Sequence, residues 1–178
     1  MAVENYVQSL LRDVPDFPKP GIIFKDITPL LANPVARRKV VEEIALHFST
    51  QKVEAIAAVE ARGFIFGSLL ADALSIPFIP VRKSGKLPYH KIKEEYSLEY
   101  GTASIEMHVD AFEQGTRVLI HDDLLATGGT ATATGKMIER LGGIVMGYSF
   151  IINLAFLSGE QLLSQRFGVK PHYLVTYN

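Results

Sequence analysis

The sequence contains no cysteine and no excess of positive charge. The lack of cysteine excludes disulfides, thiolate nucleophiles and cysteine metal sites, and it suits a reducing compartment. The formal net charge is -1, so an extended polyanion such as a nucleic acid is not an expected partner. The five histidines lack the spacing of metal ligands, and no serine and histidine arrangement indicates a hydrolytic triad.

Long apolar runs and a secretory leader are also missing. Residues 1–13 carry charges and lack the basic start and apolar core of a signal peptide. The apolar stretch at residues 144–157 is interrupted by Gly147, Ser149 and Asn153, so no membrane span is expected. These features predict a cytoplasmic protein without nucleic-acid or membrane partners. The length of 178 residues predicts a single domain, residues 1–178.

Short apolar, β-branched runs alternate with helical patterns along the chain. Strands are predicted at residues 54–60, 77–81, 117–121, 144–154 and 172–177. Helices are predicted at residues 36–48, 63–74, 130–141 and 159–167, the first of them capped by Asn33 and Pro34. This alternation predicts an α/β fold with a central, mostly parallel sheet flanked by helices. In such sheets ligands bind at the carboxyl ends of the strands.

Three segments depart from this alternation. Residues 96–109 are predicted to form a long strand or a hairpin. Residues 14–29 contain four prolines and predict an ordered loop. Residues 82–95 contain five basic residues and few large apolar ones, which predicts a mobile loop between strands. Loops of that length often serve as active-site lids.

The strongest functional pattern lies at residues 118–130, where a buried strand runs into two acids, Asp122 and Asp123. Five small residues follow at the start of a predicted helix: Ala126, Thr127, Gly128, Gly129 and Thr130. Unpaired N–H groups and the helix dipole at such a turn favour a phosphate, and the acids can hold sugar hydroxyls or a hydrated Mg²⁺. The pattern indicates a phosphorylated sugar. The alternative is a polar turn with capping threonines, and neither a Walker loop nor a Gly-x-Gly-x-x-Gly motif is present.

Two further segments carry positive charge that suits phosphate groups. Arg62, in the turn Glu60-Ala61-Arg62-Gly63, can make charge-assisted bonds to phosphate oxygens at a helix start. The alternative is a surface turn eased by Gly63. The loop predicted at residues 82–95 could bind phosphate groups through its basic side chains, and the alternative is a solvated charged face. Its basic residues are Arg82, Lys83, Lys86, Lys91 and Lys93.

The acid-pair string Asp-Asp-Leu-Leu-Ala-Thr-Gly-Gly-Thr resembles the phosphoribosyl pyrophosphate (PRPP) signature of the type I phosphoribosyltransferases, in the form of the adenine-specific members. Four other strings resemble motifs of the same family, in the same order. They begin at Phe17 (Phe-Pro-Lys-Pro-Gly-Ile-Ile-Phe-Lys-Asp-Ile), Ala61 (Ala-Arg-Gly-Phe-Ile-Phe-Gly), Arg82 (Arg-Lys-Ser-Gly-Lys-Leu-Pro) and Tyr96 (Tyr-Ser-Leu-Glu-Tyr-Gly).

The resemblance implies a role for each segment. Asp122 and Asp123 would contact the ribose hydroxyls, and residues 126–130 would wrap the 5′-phosphate. The pyrophosphate would be bound by Glu60, Ala61, Arg62, Arg82, Lys83 and Lys86, whereas Lys91 and Lys93 match no family position and are expected to be surface residues. The resemblance also implies a non-proline cis peptide in the loop at residues 60–63.

The adenine site is likewise implied by the family. The Ile23 backbone would recognise the base edge, Phe24 would stack on the ring and Leu154 would cover its other face. Some members have arginine where this chain has Lys25, which keeps the charge but loses the planar guanidinium. Glu99 would act as general base on the base proton, and Tyr100 would close over the site and exclude water.

As a whole, the resemblance implies a purine-salvage enzyme that converts adenine and PRPP to AMP and pyrophosphate. Mg²⁺ would be held through substrate oxygens and water, with no direct protein ligands. Residues 1–33 would form a hood over the base, residues 82–101 a flexible catalytic loop, and two chains a homodimer. The alternatives are a hypoxanthine or guanine enzyme, a PRPP-sensing regulator without catalysis, and a sugar-phosphate enzyme of unrelated fold.

Overall fold

The computed structural model describes residues 2–97 and 101–178. The helices are α1 (Val3–Gln8), α2 (Thr28–Ala32), α3 (Pro34–Phe48), α4 (Gly63–Leu74), α5 (Gly129–Arg140) and α6 (Gly159–Phe167), with a 3₁₀ turn at Ala155–Leu157. The strands are β1 (Arg12–Pro15), β2 (Ile23–Asp26), β3 (Ala55–Val59), β4 (Phe78–Lys83), β5 (Lys91–Ser97), β6 (Thr102–His108), β7 (Arg117–His121), β8 (Leu124–Leu125), β9 (Ile144–Leu154) and β10 (His172–Tyr177).

One large sheet dominates the described part of the chain. Its strand order is β10-β9-β7-β3-β4-β6-β5, and the short β8 also pairs with β9. The five strands from β10 to β4 are parallel, whereas β6 runs antiparallel to both β4 and β5. The predicted α/β fold with a central, mostly parallel sheet flanked by helices is confirmed.

The central strands are apolar throughout because both of their faces are covered. Along β3, Ala55, Ala57 and Val59 enter a core cluster with α5, while Ile56 enters a second cluster with α3 and α4. Side chains alternate across a strand, so every residue of β3 is buried on one face or the other. This two-sided burial explains the continuous apolar runs by which the sequence predicted these strands.

The predicted helices form where the sequence placed them. The Asn33 side chain accepts hydrogen bonds from Val35 N and Ala36 N at 3.1 Å, so it caps α3 as predicted. Helix α5 ends at Arg140, one residue before the predicted end at residue 141. Within residues 2–97 and 101–178, no helix has both the length and the apolar character needed to cross a membrane.

The prediction of a loop over residues 82–95 is wrong at both ends. Strand β4 continues to Lys83, and β5 begins at Lys91 and pairs with β6, which selects the hairpin alternative for the following segment. The β5 strand was missed because its inward positions are not all apolar. Glu94 points to α5, where it pairs with Lys136 at 3.3 Å and Arg140 at 2.9 Å.

The loop predicted over residues 14–29 also contains regular structure. Strands β1 and β2 form a small antiparallel sheet in which Arg12 faces Asp26, and the two side chains form an ion pair at 2.6 Å. Hydrogen bonds from Thr28 and Arg12 lower the pKa of Asp26 to about 2. Short strands with charged side chains have little apolar periodicity, so the sequence did not indicate them. The four prolines of this segment favoured a loop instead.

Candidate active site

The two acids lie immediately after β7, at the carboxyl end of the central parallel strands. Asp123 is 4% exposed, and its N–H donates to Asp122 Oδ1 at 2.9 Å. Burial and the neighbouring Asp123 charge raise the pKa of Asp122 well above its usual value. Burial also raises the pKa of Asp123, although Arg62 opposes this shift. The pair therefore forms a desolvated acidic site at the position predicted for ribose.

Arg62 connects the acid pair to the segment predicted to bind the base. Its Nε lies 2.8 Å from Asp123 Oδ2 in an ion pair whose geometry is not that of a hydrogen bond. Its guanidinium carbon also lies 4.8 Å from the centre of the Phe24 ring, within the range of a cation–π contact. Phe17 packs edge-on against Phe24 with ring centres 5.2 Å apart. One arginine thus contacts the proposed ribose and adenine sites.

The turn between β3 and α4 approaches the acid pair because it contains Gly63. A Cβ at this position would lie 2.8 Å from Asp122 Oδ1 and 3.0 Å from Asp122 Cα, closer than side-chain atoms pack. The Glu60–Ala61 peptide is cis, as the family resemblance implied. From the sequence, Gly63 was considered only as a residue that eases a surface turn, so its close contact with Asp122 was not predicted.

The small residues 126–130 form a turn that leads into the start of α5. Gly128 is the N-cap residue, with φ of 81°, and no side chain caps the helix. The first N–H groups of a helix have no partner within the helix, so this uncapped end suits an anion.

The first residue of α6, Gly159, packs closely against the backbone of this turn. A Cβ on Gly159 would lie only 2.2 Å from Ala126 O and 3.0 Å from Gly128 N. Gly159 lies 29 residues beyond Thr130, the last residue of the motif, and matches no phosphate-binding pattern, so sequence reasoning missed it.

The basic residues at the end of β4 are organised by Glu60. Arg82 places Nη2 3.0 Å from Glu60 Oε1 and Nε 3.2 Å from Oε2, and the Lys83 N–H donates to Oε2 at 3.1 Å. Hydrogen bonds from Arg82, together with that from Lys83, lower the pKa of Glu60. Arg82 also donates to Lys86 O at 2.8 Å, while the Lys83 and Lys86 side chains are exposed.

Comparison with known proteins agrees with this arrangement. The model of the phosphoribosyl transferase domain family matches residues 27–153. An adenine phosphoribosyltransferase from Cytophaga hutchinsonii is 52% identical over 162 residues, which cover 91% of this chain and 90% of the relative. The chain belongs to the adenine phosphoribosyltransferase family. It is therefore a transferase.

Solved structures of the adenine phosphoribosyltransferase family have the same fold. The enzyme from Thermoanaerobacter pseudethanolicus superimposes with a TM-score of 0.93 at 47% identity, covering 98% of this chain and 99% of the other. The enzyme from Saccharomyces cerevisiae gives a TM-score of 0.90 at 36% identity, covering 97% and 98%. That yeast structure was determined with an iminoaltritol bisphosphate and adenine.

The residues predicted to bind adenine differ in their surroundings. Ile23, at the start of β2, is 56% exposed. Lys25 is buried with its Nζ 2.7 Å from Asp13 Oδ1 and 3.8 Å from the Tyr177 ring centre. Because neighbours alternate across β2, Lys25 and Phe24 point to opposite faces. The structure therefore does not bring the Lys25 ammonium to the Phe24 ring. Leu154 ends β9 beside Tyr177.

The remaining predictions have mixed outcomes in this family member. Glu99 and Tyr100 lie outside the described residues. His121, one of the five histidines, is fully buried, its Nδ1 lies 3.2 Å from Ser149 Oγ, and burial lowers its pKa to about 4. Lys93 forms an exposed ion pair with Glu95. Lys91 is exposed, as expected of a surface residue, and its Nζ also lies 3.0 Å from Oε2 of the buried Glu106.

Proposed function

We propose that the protein transfers the phosphoribosyl group of PRPP to adenine, forming AMP and pyrophosphate. The observation that carries this proposal is that Arg62 contacts both Asp123 and Phe24. The next residue, Gly63, lies in close contact with Asp122. A base, a ribose and a pyrophosphate bound at these positions would lie side by side, as displacement at the anomeric carbon requires. Membership of the family supports the same reaction.

The residues would act mainly by positioning and electrostatics. As pyrophosphate departs, the ribose ring gains positive charge and the leaving group keeps negative charge. Asp122 and Asp123 would hold the ribose hydroxyls and place negative charge near the ring. Arg62 and Arg82, with Lys83 and Lys86, would stabilise the leaving pyrophosphate, which the turn residues Glu60 and Ala61 would border.

The 5′-phosphate and the base would be held at the two ends of the substrate. Residues 126–130 offer the uncapped N-terminus of α5 to the phosphate. The Ile23 backbone would select adenine through its exocyclic amine and ring nitrogen, with Phe24 and Leu154 on the two ring faces. Glu99 would manage the base proton, and Tyr100 would close over the site and exclude water.

The donors at this site fit Mg²⁺ bound chiefly through the substrate. Asp122 and Asp123 offer carboxylate oxygens, and such oxygens can reach the metal through water, as Mg²⁺ commonly prefers. When bound, the metal would neutralise charge on the pyrophosphate. We therefore propose that the reaction depends on Mg²⁺.

The setting of the enzyme is also part of the proposal: purine salvage in the cytoplasm, by a homodimer. Support for the dimer comes from a groove between α3 and α4 whose apolar lining includes Val41 and Leu69. Leu69 is 38% exposed and the nearby Val35 45% exposed, and a second chain could cover this surface.

The test is a variant of the acid pair in the reaction with PRPP, Mg²⁺ and adenine. The double substitution Asp122→Asn and Asp123→Asn should remove most AMP formation while leaving a folded protein, because it removes the charges proposed to hold the ribose. The matched control is Asp72→Asn, an exposed aspartate of α4, which should retain full activity. Near-normal turnover by the double variant would refute the ribose assignment.

A further inference from the structure

Strand β6 contains a buried carboxylate, Glu106, close to the basic residues at the end of β4. This residue has no role in the reaction proposed above. Glu106 is 5% exposed, and it lies opposite Arg82 in the register of the antiparallel strands β6 and β4. A buried charge is costly unless hydrogen-bond donors surround it. The donors that surround Glu106 therefore indicate what this residue does.

Donors to Glu106 come from both ends of the segment that connects β4 to β5. Ser84 Oγ donates to Oε1 at 3.0 Å, and the Gly85 N–H donates to Oε2 at 3.1 Å. From the other end, Lys91 Nζ lies 3.0 Å from Oε2. Burial raises the pKa of Glu106, but the hydrogen bonds from Lys91, Gly85 and Ser84 outweigh it and lower the pKa below its usual value. The carboxylate is therefore ionised at neutral pH and joins the two ends.

The same network reaches the middle of the segment. Lys91 Nζ also donates to Leu87 O at 2.6 Å, and the Leu87 side chain is 4% exposed. Arg82 donates to Lys86 O at 2.8 Å. The backbone is thus held at several points, while the side chains of Lys86 and of the preceding Lys83 are exposed.

We propose that Glu106 is a positioning residue that holds the 84–91 segment so that Lys83 and Lys86 face the pyrophosphate of PRPP. The proposal rests on the proposed function, because it concerns the pyrophosphate part of the same site. Glu106 touches no substrate and acts through Ser84, Gly85 and Lys91. Loss of its charge should therefore weaken the use of PRPP selectively, and the use of adenine much less.

The experiment measures kcat and the KM of each substrate for the wild type and Glu106→Gln, which preserves side-chain size and removes the charge. A hydrogen-bonded buried charge of this kind predicts a rise in the KM of PRPP of roughly tenfold. The KM of adenine and kcat at saturating PRPP should change by less than about threefold. The control Glu113→Gln, on an exposed turn beyond β6, should match the wild type.

Each outcome decides one claim. If the wild type is active and the KM of PRPP is unchanged in Glu106→Gln, the positioning role is overturned and the proposed function stands. The same conclusion follows if Glu106→Gln loses kcat/KM equally for both substrates and has lower thermal stability. A wild type inactive with adenine and PRPP refutes the proposed function, and calorimetric binding of pyrophosphate to both proteins then decides the positioning role.

If Glu106→Gln does not fold, Lys91→Met and Ser84→Ala each remove one donor and leave the carboxylate in place. Both should raise the KM of PRPP above that of the wild type, and an unchanged value in both overturns the proposal.

Discussion

Replacement of Gly159 by alanine tests whether the start of α6 fixes the phosphate turn. The new Cβ would lie 2.2 Å from Ala126 O, whereas ordinary contact begins at 3.4 Å, so one of the two segments has to move by roughly 1 Å. Ala126 O and Gly128 N belong to the backbone and cannot rotate away. The φ of Gly159 lies outside the left-handed region, so alanine adds no backbone strain there.

A displacement of about 1 Å in a substrate-positioning group can lower the rate by about 100-fold. We therefore expect kcat/KM for PRPP to fall by about that factor in Gly159→Ala, mainly through the KM of PRPP, with adenine affinity nearly unchanged. The assay is steady-state AMP formation with each substrate varied in turn. Gln161→Ala, an exposed position on the same helix, is the matched control. A Gly159→Ala enzyme within twofold of the wild type would refute the packing argument.

Two further predictions concern acids of the site. Burial and the neighbouring Asp123 charge raise the pKa of Asp122 in the folded protein. The folded state therefore binds more protons than the unfolded state, and this group's contribution to stability is lost as pH rises through the folded pKa. Asp122→Asn should raise the free energy of unfolding at neutral pH by about 1 kcal/mol while lowering activity, and a urea titration that shows destabilisation would contradict this. Glu99→Ala should lower kcat more than adenine affinity, and an unchanged kcat would exclude Glu99 from the reaction.

The central strands and helices could be predicted from local sequence patterns. Strands β3 and β7 are buried on both faces, which requires apolar residues throughout, and α3 carries an explicit cap at Asn33. Strand β5 was not predicted because its inward Glu94 is satisfied by Lys136 and Arg140 of α5. Those contacts exist only after α5 has packed, so no local pattern could indicate them.

The candidate site shows the same division. Asp122, Asp123 and Arg62 were predicted because strand ends and helix starts place charge at the sheet edge. The contacts that join them were not predictable, since Arg62 reaches Phe24 across 38 residues of sequence and Gly159 supports Ala126 from a later helix. Glu106 was missed because a lone acid in a strand carries no pattern until its donors from the β4–β5 connection surround it.

The most direct test of the proposed function is pyrophosphate release by the purified protein with PRPP, Mg²⁺ and one base at a time. Adenine, hypoxanthine and guanine are compared at equal concentrations. The predicted result is rapid release with adenine and little release with the other two bases. Equal or faster release with hypoxanthine or guanine would contradict the adenine assignment, and no release with any base would contradict the enzyme activity itself.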